Sequence, residues 1–249
     1  MKKAMIMAAG MGTRLGSITR ERPKILVDIG GVTLLEWIVG KLCYFGFNDI
    51  IINIHHHAGM IEKAAGEMEK SLKVKIAFSD ERDELLDTGG GLYRARDFFG
   101  EEPFLIYNGD IVTDLDLGKL YNHNVNTGAI ATLALRRRAG KRFFLIDNNG
   151  ILKGWKNIET GEVIEAGKNT GETTEIAFSA ISVVSPSIFK YMSAGIYSMR
   201  GVYLEAARHE IVNSLIHDQG NWIDIGSPEQ LQKCRDIISA NSSPDSLYT

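Results

Sequence analysis

The sequence predicts an α/β fold: a mixed, mostly parallel sheet flanked by helices, with extra β-structure in the C-terminal half. Three observations carry this. Strand-like and helix-like segments alternate over residues 1–125, the pattern of a doubly wound layer. The strand-like segments there include continuous apolar runs, as in strands buried on both faces. From about residue 128 the pattern changes to strands and hairpin turns.

In order, KAMIMAA (3–9) reads as a short buried strand that runs into a Gly-rich loop. Residues 34–45 place Leu34, Leu35, Trp37, Ile38, Leu42 and Phe45 at helical spacing, and Gly46 and Asn48 end that helix. DIIINI (49–54) is a β-branched strand. Residues 58–70 form an amphipathic helix with Met60, Ile61, Ala64, Ala65 and Met68 inward. LKVKIAF (72–78) is a strand, 79–88 a polar loop, 90–99 a helix, and Pro103–Tyr107 a strand. GAIATLALR and RFFLID are strands, and Asn148-Asn149-Gly150 signals a hairpin turn. Residues 151–166 continue as β-structure, and TEIAFSAISVVS is a long strand. Residues 202–217 read as an amphipathic helix, and Pro228 opens a last helix to about Ala240. No repeat or linker interrupts the chain. The expectation is one domain over 1–240, with halves at 1–125 and 126–240, and a loose tail at 241–249.

Composition excludes several classes. The formal net charge is −3 and the longest basic run is Arg136-Arg137-Arg138, which argues against a nucleic-acid partner. The two cysteines, Cys43 and Cys234, form no metal-ligand pair and suit a reducing cytoplasm. The apolar run near the N-terminus is too short for a signal peptide, and no apolar stretch is long enough to span a membrane. Glycine supplies 26 of 249 residues and proline 5. Against usual shares of about 7% and 5%, this suggests glycines placed at specific tight turns.

The first of those turns is Ala8-Ala9-Gly10-Met11-Gly12-Thr13-Arg14-Leu15-Gly16, just after the first strand. Ligands in open α/β sheets sit at the carboxyl ends of strands. The spacing is G-x-G-x-x-x-G, one residue longer than the dinucleotide fingerprint, and the Lys-Ser/Thr ending of a P-loop is missing. What the loop does carry is Arg14, suited to bidentate phosphate contact, and Pro23-Lys24 ten residues on. Asp87-Thr88-Gly89-Gly90-Gly91 places three glycines at a helix start, where bare backbone suits a ligand. Asn108-Gly109-Asp110 ends a strand, and Trp222-Ile223-Asp224-Ile225-Gly226 sets a second Asp between apolar neighbours. Asp110 and Asp224 read as a pair sharing a Mg²⁺ that bridges phosphates, with a structural cap as the alternative for Asp224.

These four motifs, in this order, resemble those of the sugar-1-phosphate nucleotidylyltransferases, in particular the short uridylyl- and guanylyltransferases. The resemblance implies a Rossmann-like nucleotide-diphospho-sugar transferase fold, with a nucleotide-binding half followed by a sugar-phosphate-binding half. It implies a Mg²⁺-dependent reaction of an NTP, UTP or GTP first, with a sugar 1-phosphate such as that of N-acetylmuramate, mannose or a heptose. It implies that Ala8, Ala9 and Gly10 meet base and ribose through their backbones, and that Gly12, Thr13 and Arg14 hold the triphosphate. Lys24 would stabilise the attacked α-phosphate, and Thr88, Gly89 and Gly90 would lie against base and ribose. Asp110 and Asp224 would bind the metal, making Arg14, Lys24 and Asp110 the catalytic set. The acceptor would meet Asn108 and the segment Trp155-Lys156-Asn157, which stands where many relatives have Glu-Lys-Pro. Two further departures are Ile25, in place of a second proline, and Ala180, where relatives often have glycine.

Some features admit other readings. Asp114-Leu115-Asp116 is a helix cap or the Asp-x-Asp pair of a glycosyltransferase that uses an NDP-sugar. His55-His56-His57 sits at a strand end, where neighbours point apart, which suits one or two ligand-facing histidines better than a metal site. Arg136–Arg138 is a solvated cluster or a contact for an acidic sugar phosphate. A CTP-dependent enzyme acting on phosphocholine and a non-catalytic sensor of nucleotide sugars are the remaining alternatives.

Overall fold

The structure is a computed structural model and describes residues 1–167, 171–240 and Tyr248. The chain runs β1 (Lys2–Met7), α1 (Leu34–Tyr44), β2 (Phe47–Ile54), α2 (Ala58–Ser71), β3 (Lys75–Asp80), α3 (Asp87–Arg94) and β4 (Phe104–Asn108). It continues through β5 (Ile111–Thr113), α4 (Leu117–Thr127), β6 (Ala131–Arg136), β7 (Arg142–Ile146), β8 (Leu152–Asn157) and β9 (Val163–Glu165). The last elements are β10 (Thr174–Val184), α5 (Met199–Ala206), β11 (Val212–Ile216), β12 (Trp222–Asp224) and α6 (Pro228–Ala240). The expected α/β class holds, as a mixed sheet flanked by helices. The chain forms two compact units, each drawn from separate stretches of the sequence: Met1–Asp87, Tyr107–Leu117 and Gly220–Thr249 make one, and Thr88–Ile106 with Gly118–Gln219 make the other.

In the first unit β1, β2 and β3 are parallel, with Ile6 opposite Ile52 and Ile50 opposite Ile76. Met5, Ile6, Ile50 and Ile52 are fully buried, each contributing about 1.5–3 kcal/mol by leaving water. The helix α1 starts at a capping box: Thr33 Oγ1 accepts from the Glu36 N–H, and Glu36 Oε2 accepts from the Thr33 N–H. Its inner face buries Leu34, Leu35, Trp37, Ile38 and Leu42, as the spacing predicts. The same helix buries Lys41. Its Nζ donates to the Tyr248 carbonyl at 2.6 Å and lies 5.2 Å from the Phe45 ring. Burial lowers the Lys41 pKa to about 7, against the opposing pull of Asp114 and Asp116. Tyr248 therefore departs from the expectation of a loose tail. It is buried, and its ring lies 5.9 Å from that of Trp37. Residues 241–247 and 249 lie outside the described residues.

Two three-residue strands, β5 and β12, pair antiparallel and set Asp224 opposite Ile111. Neither is long enough to show a periodicity in the sequence. Their pairing is what draws the late segment from Gly220 into the first unit.

The second unit is mainly antiparallel, through β10 with β6 and β7, β7 with β8, and β8 with β9. The turn at Asn148–Gly150 closes the β7–β8 hairpin, with Gly150 N–H donating to Asp147 O at 3.0 Å. The register of β10 shifts between Phe178 and Ser182, and Ala180 at that bulge has φ +61°. The expected helix over 202–217 is overturned. α5 stops at Ala206, where the N–H groups of His209 and Glu210 turn back onto its carbonyl. Val212–Ile216 then pairs in parallel with Ala131–Leu135 of β6, so strand pairing overrides the local helical pattern. The expected helix over 90–99 is likewise shorter, because α3 ends at Arg94 and a 3-10 turn covers Arg96–Phe98.

Candidate functional site

The site forms in the first unit, where β1 and the end of β4 stop side by side. The Gly109 N–H donates to Met7 O at 2.9 Å. A Cβ at Gly109 would lie 2.7 Å from that oxygen, so only glycine allows the approach. The Ile25 side chain fills the other flank of Gly109. Asp110 follows at once, and its carbonyl accepts from the Ile225 N–H at 2.9 Å, beside Asp224. Tyr107 fixes the same turn: its hydroxyl, fully buried and raised well above its ordinary pKa by that burial, donates to Ile111 O at 3.0 Å.

Three of the sequence-predicted charges meet there, and a fourth borders them. Lys24 Nζ lies 2.8 Å from Asp110 Oδ2 and 4.0 Å from Asp224 Oδ1. Arg14 Nη2 lies 3.9 Å from Asp224 Oδ1. The gradient of exposure is steep, from 13% for the Lys24 side chain through 29% for Asp110 to 69% for Arg14. Lys24 is therefore held, while Arg14 has room to reach. Pro23 places Lys24 at the start of a 3-10 turn whose Ile25 and Leu26 are buried. The loop before it is anchored by Thr19, whose Oγ1 donates to Gly12 O at 2.9 Å, and Gly12 has φ +63°. Thr13 opens the 3-10 turn that carries Arg14, and Gly10 is exposed.

Other predicted contacts are already engaged. The N–H groups of Ala8 and Ala9 donate to Asn53 Oδ1 at 2.6 and 3.3 Å. These two N–H groups are thus already engaged within the protein. Asp114 accepts from the Asn221 N–H at 2.6 Å and so holds the turn before β12, and Asp116 directly precedes α4. His55 Nδ1 meets Glu81 O at 2.6 Å and His57 Nε2 meets Arg20 O at 3.3 Å. Among the described residues, no group of three or more His, Cys, Asp or Glu side chains is arranged to hold a metal. Burial raises the Cys43 thiol and pushes Cys234 up to about 12, so neither supplies a thiolate nucleophile at neutral pH.

In the second unit the glycines of the DTGGG motif are buried, not bare. The Gly89 and Gly90 N–H groups both donate to Tyr197 O, at 2.7 and 3.3 Å, and Thr88 Oγ1 accepts from the Met199 N–H at 3.0 Å. A Cβ on Gly89 would strike the Tyr197 ring, so close packing also explains that glycine. Trp155, Lys156 and Asn157 do not form one patch. They are consecutive in β8, so alternate side chains leave opposite faces of the strand. Lys156 Nζ pairs with Glu175 Oε1 at 2.6 Å. Asn157 Oδ1 accepts from the Glu159 N–H at 3.0 Å and caps a turn. Trp155 is buried beneath Arg200, whose guanidinium carbon lies 4.1 Å from the ring centre. Sequence reasoning misses Arg200, because nothing in its local pattern pairs it with Trp155. The Arg136–Arg138 run is bonded, not simply solvated: Arg136 to His217 O, Arg137 to Asp218 and Arg138 to Phe178 O.

The chain is similar to known proteins over nearly its whole length. The sequence pattern of the nucleotidyl transferase family matches residues 3–240. An N-acetylmuramate alpha-1-phosphate uridylyltransferase of Neisseria meningitidis serogroup B is 29% identical over 96% of this chain and 99% of its own. A mannose-1-phosphate guanylyltransferase catalytic subunit beta of Dictyostelium discoideum is 25% identical over 91% of this chain and 62% of its own. The crystal structure of HddC from Yersinia pseudotuberculosis, complexed with GMP-PN, superposes with a TM-score of 0.75 at 23% identity, covering 96% of this chain and all of that one. No helix among the described residues is long and apolar enough to cross a membrane.

Proposed function

The chain belongs to the nucleotidyl transferase family, and we propose that it transfers a nucleotidyl group from an NTP to a sugar 1-phosphate, releasing pyrophosphate. The observation that carries this reading is the position of Lys24, 2.8 Å from Asp110 and 4.0 Å from Asp224, at the start of the 3-10 turn that follows the Gly-rich loop. A phosphate monoester dianion is already a nucleophile, so the acceptor oxygen attacks the α-phosphorus without a general base. Catalysis then rests on alignment and charge neutralisation. Lys24, held by buried neighbours, faces the charge that builds on the α-phosphate. The exposed guanidinium of Arg14 takes the outer phosphates, for which its planar fork is suited.

Asp110, in the turn just before β5, and Asp224, at the end of its partner strand β12, are hard oxygen donors and fit Mg²⁺, which commonly takes one or two carboxylates together with substrate phosphates. When bound, Mg²⁺ would neutralise phosphate charge and help to align the leaving pyrophosphate. Uridylyl- and guanylyltransferases among the relatives support UTP or GTP as donor. The sugar belongs to the group of N-acetylmuramate, mannose and heptose. Two free cysteines suit a cytoplasmic site of action. The engagement of Asp114 with Asn221 removes the main support for a glycosyltransferase centred on Asp114-x-Asp116.

The test is a pyrophosphate-release screen of four NTPs against a panel of sugar 1-phosphates, with and without Mg²⁺. One pair should turn over in a Mg²⁺-dependent way. Consumption of an NDP-sugar with no pyrophosphate release from any pair would overturn the assignment.

A further inference from the structure

Beneath the Gly-rich loop lie two polar side chains that the reaction does not use. Asn53 stands near the end of β2 and Glu81 directly after β3, and they are 3% and 0% exposed. A carboxylate buried to that degree is costly unless its oxygens are bonded. Glu81 Oε1 accepts from Asn53 Nδ2 at 2.8 Å, and Oε2 accepts from the Leu86 N–H at 3.2 Å. The Glu81 backbone is pinned as well, its N–H donating to Ile54 O at 2.8 Å. The other end of the Asn53 amide, Oδ1, accepts from the Ala8 and Ala9 N–H groups.

An amide can present either its oxygen or its nitrogen, and its partners decide which. Both Glu81 oxygens face donors, so the carboxylate selects the Asn53 orientation with Nδ2 toward it. Reversal would set Nδ2 against the Ala8 N–H and Oδ1 against the carboxylate. We propose that Asn53 and Glu81 are positioning residues: Glu81 locks the Asn53 amide, and Asn53 thereby fixes Ala8–Ala9 in the shape that receives the nucleoside triphosphate. The functional half of this rests on the nucleotide reading above; the structural half does not.

The chemistry prescribes the test. Asn53→Asp sets carboxylate against carboxylate, and Glu81→Gln turns an amide donor toward the Asn53 amide or the Leu86 N–H. The double variant Asn53→Asp/Glu81→Gln restores the match. Its new amide nitrogen at position 81 donates to the new carboxylate at position 53, and its new amide oxygen accepts from the Leu86 N–H. Amide hydrogen exchange at Ala8 and Ala9 is followed by NMR on the whole chain, alongside KM for each substrate and the thermal midpoint. Each single variant should speed exchange at both amides by about tenfold or more and raise the NTP KM by about tenfold. The sugar-phosphate KM should stay within about twofold, and the double variant should recover both losses. Unchanged exchange in the single variants, or a double variant no better than they are, would overturn the proposal. So would a fall in thermal midpoint with both KM values unmoved. If the single variants do not fold, the double variant decides: wild-type exchange supports the lock and failure to fold overturns it. Absence of pyrophosphate release by the wild type would sink the reaction, while the exchange measurement still judges the lock.

Discussion

The two units use similar ingredients to different ends. Each contains a glycine cluster, lysine and arginine side chains and a strand whose end the sequence marks as functional. In the first unit Lys24 and Arg14 both come within 4.0 Å of Asp224, and Lys24 also pairs with Asp110; in the second, Lys156, Asn157 and Arg136–Arg138 disperse into local bonds. The difference follows from strand direction. Parallel strands end on the same side, so residues just past β1, β2 and β3 share one edge. In an antiparallel hairpin such as β7–β8 neighbouring strands end on opposite sides, and consecutive residues face opposite ways. A motif read along the chain is therefore a better guide to a site in the first kind of layer.

The strongest challenge to this contrast is a pair of matched lysine substitutions. Lys24→Ala should lower pyrophosphate release by roughly 10²–10³-fold, the usual effect of losing one charge-stabilising donor, with a thermal midpoint shift of no more than about 5 °C. Lys156→Ala is its counterpart in the second unit. The Lys156–Glu175 pair is partly exposed, so its loss should change stability by less than about 0.5 kcal/mol and leave the sugar-phosphate KM unaltered. Near-normal turnover for Lys24→Ala, or a large KM effect for Lys156→Ala, would reverse the comparison.

Two stability measurements sharpen it. Lys41 is held at about 7 in the folded first unit against 10.5 in the unfolded chain. Between those values the unfolded chain binds the extra proton, so this residue makes stability rise with pH through that window and gives least below about pH 7. Lys41→Met should remove that rise, on the order of 3 kcal/mol, in denaturant midpoints compared from pH 7 to 10. Equal pH slopes in the two proteins would mean that Lys41 is not buried as described. In the second unit Ala180→Gly relieves a left-handed φ and should gain about 0.5–1 kcal/mol after the greater flexibility of unfolded glycine is subtracted. A loss instead would show that the Ala180 methyl makes contacts worth more than the strain.

What could be read from the sequence follows the same division. The buried run of β1, the glycine spacing after it and Pro23-Lys24 are local signals that lead to Arg14 and Lys24, as Asn108-Gly109-Asp110 and Trp222–Gly226 are for Asp110 and Asp224. The bond from Gly109 to Met7 is not local, nor is the pairing of β5 with β12, so the sequence alone does not reveal how the two carboxylates meet. Asn53 and Glu81 escape notice because a single polar residue at a strand end looks like an ordinary loop start. The helix expected over 202–217 fails at Arg208–Glu210, where the chain turns and β6 recruits the rest. The glycines at 89 and 90 are located correctly, but the Tyr197 carbonyl that occupies their N–H groups lies more than a hundred residues away in sequence.

The pairing of β5 with β12 also orders events during synthesis. A ribosome reaches Asp224 only 114 residues after Asp110, and later still than Lys24. Until then β5 has no antiparallel partner and the second carboxylate does not exist. Chains cut short by stalling or premature termination before Trp222 would carry the loop and one aspartate but not the pair, and on the role proposed above for that pair they would leave nucleoside triphosphate unspent.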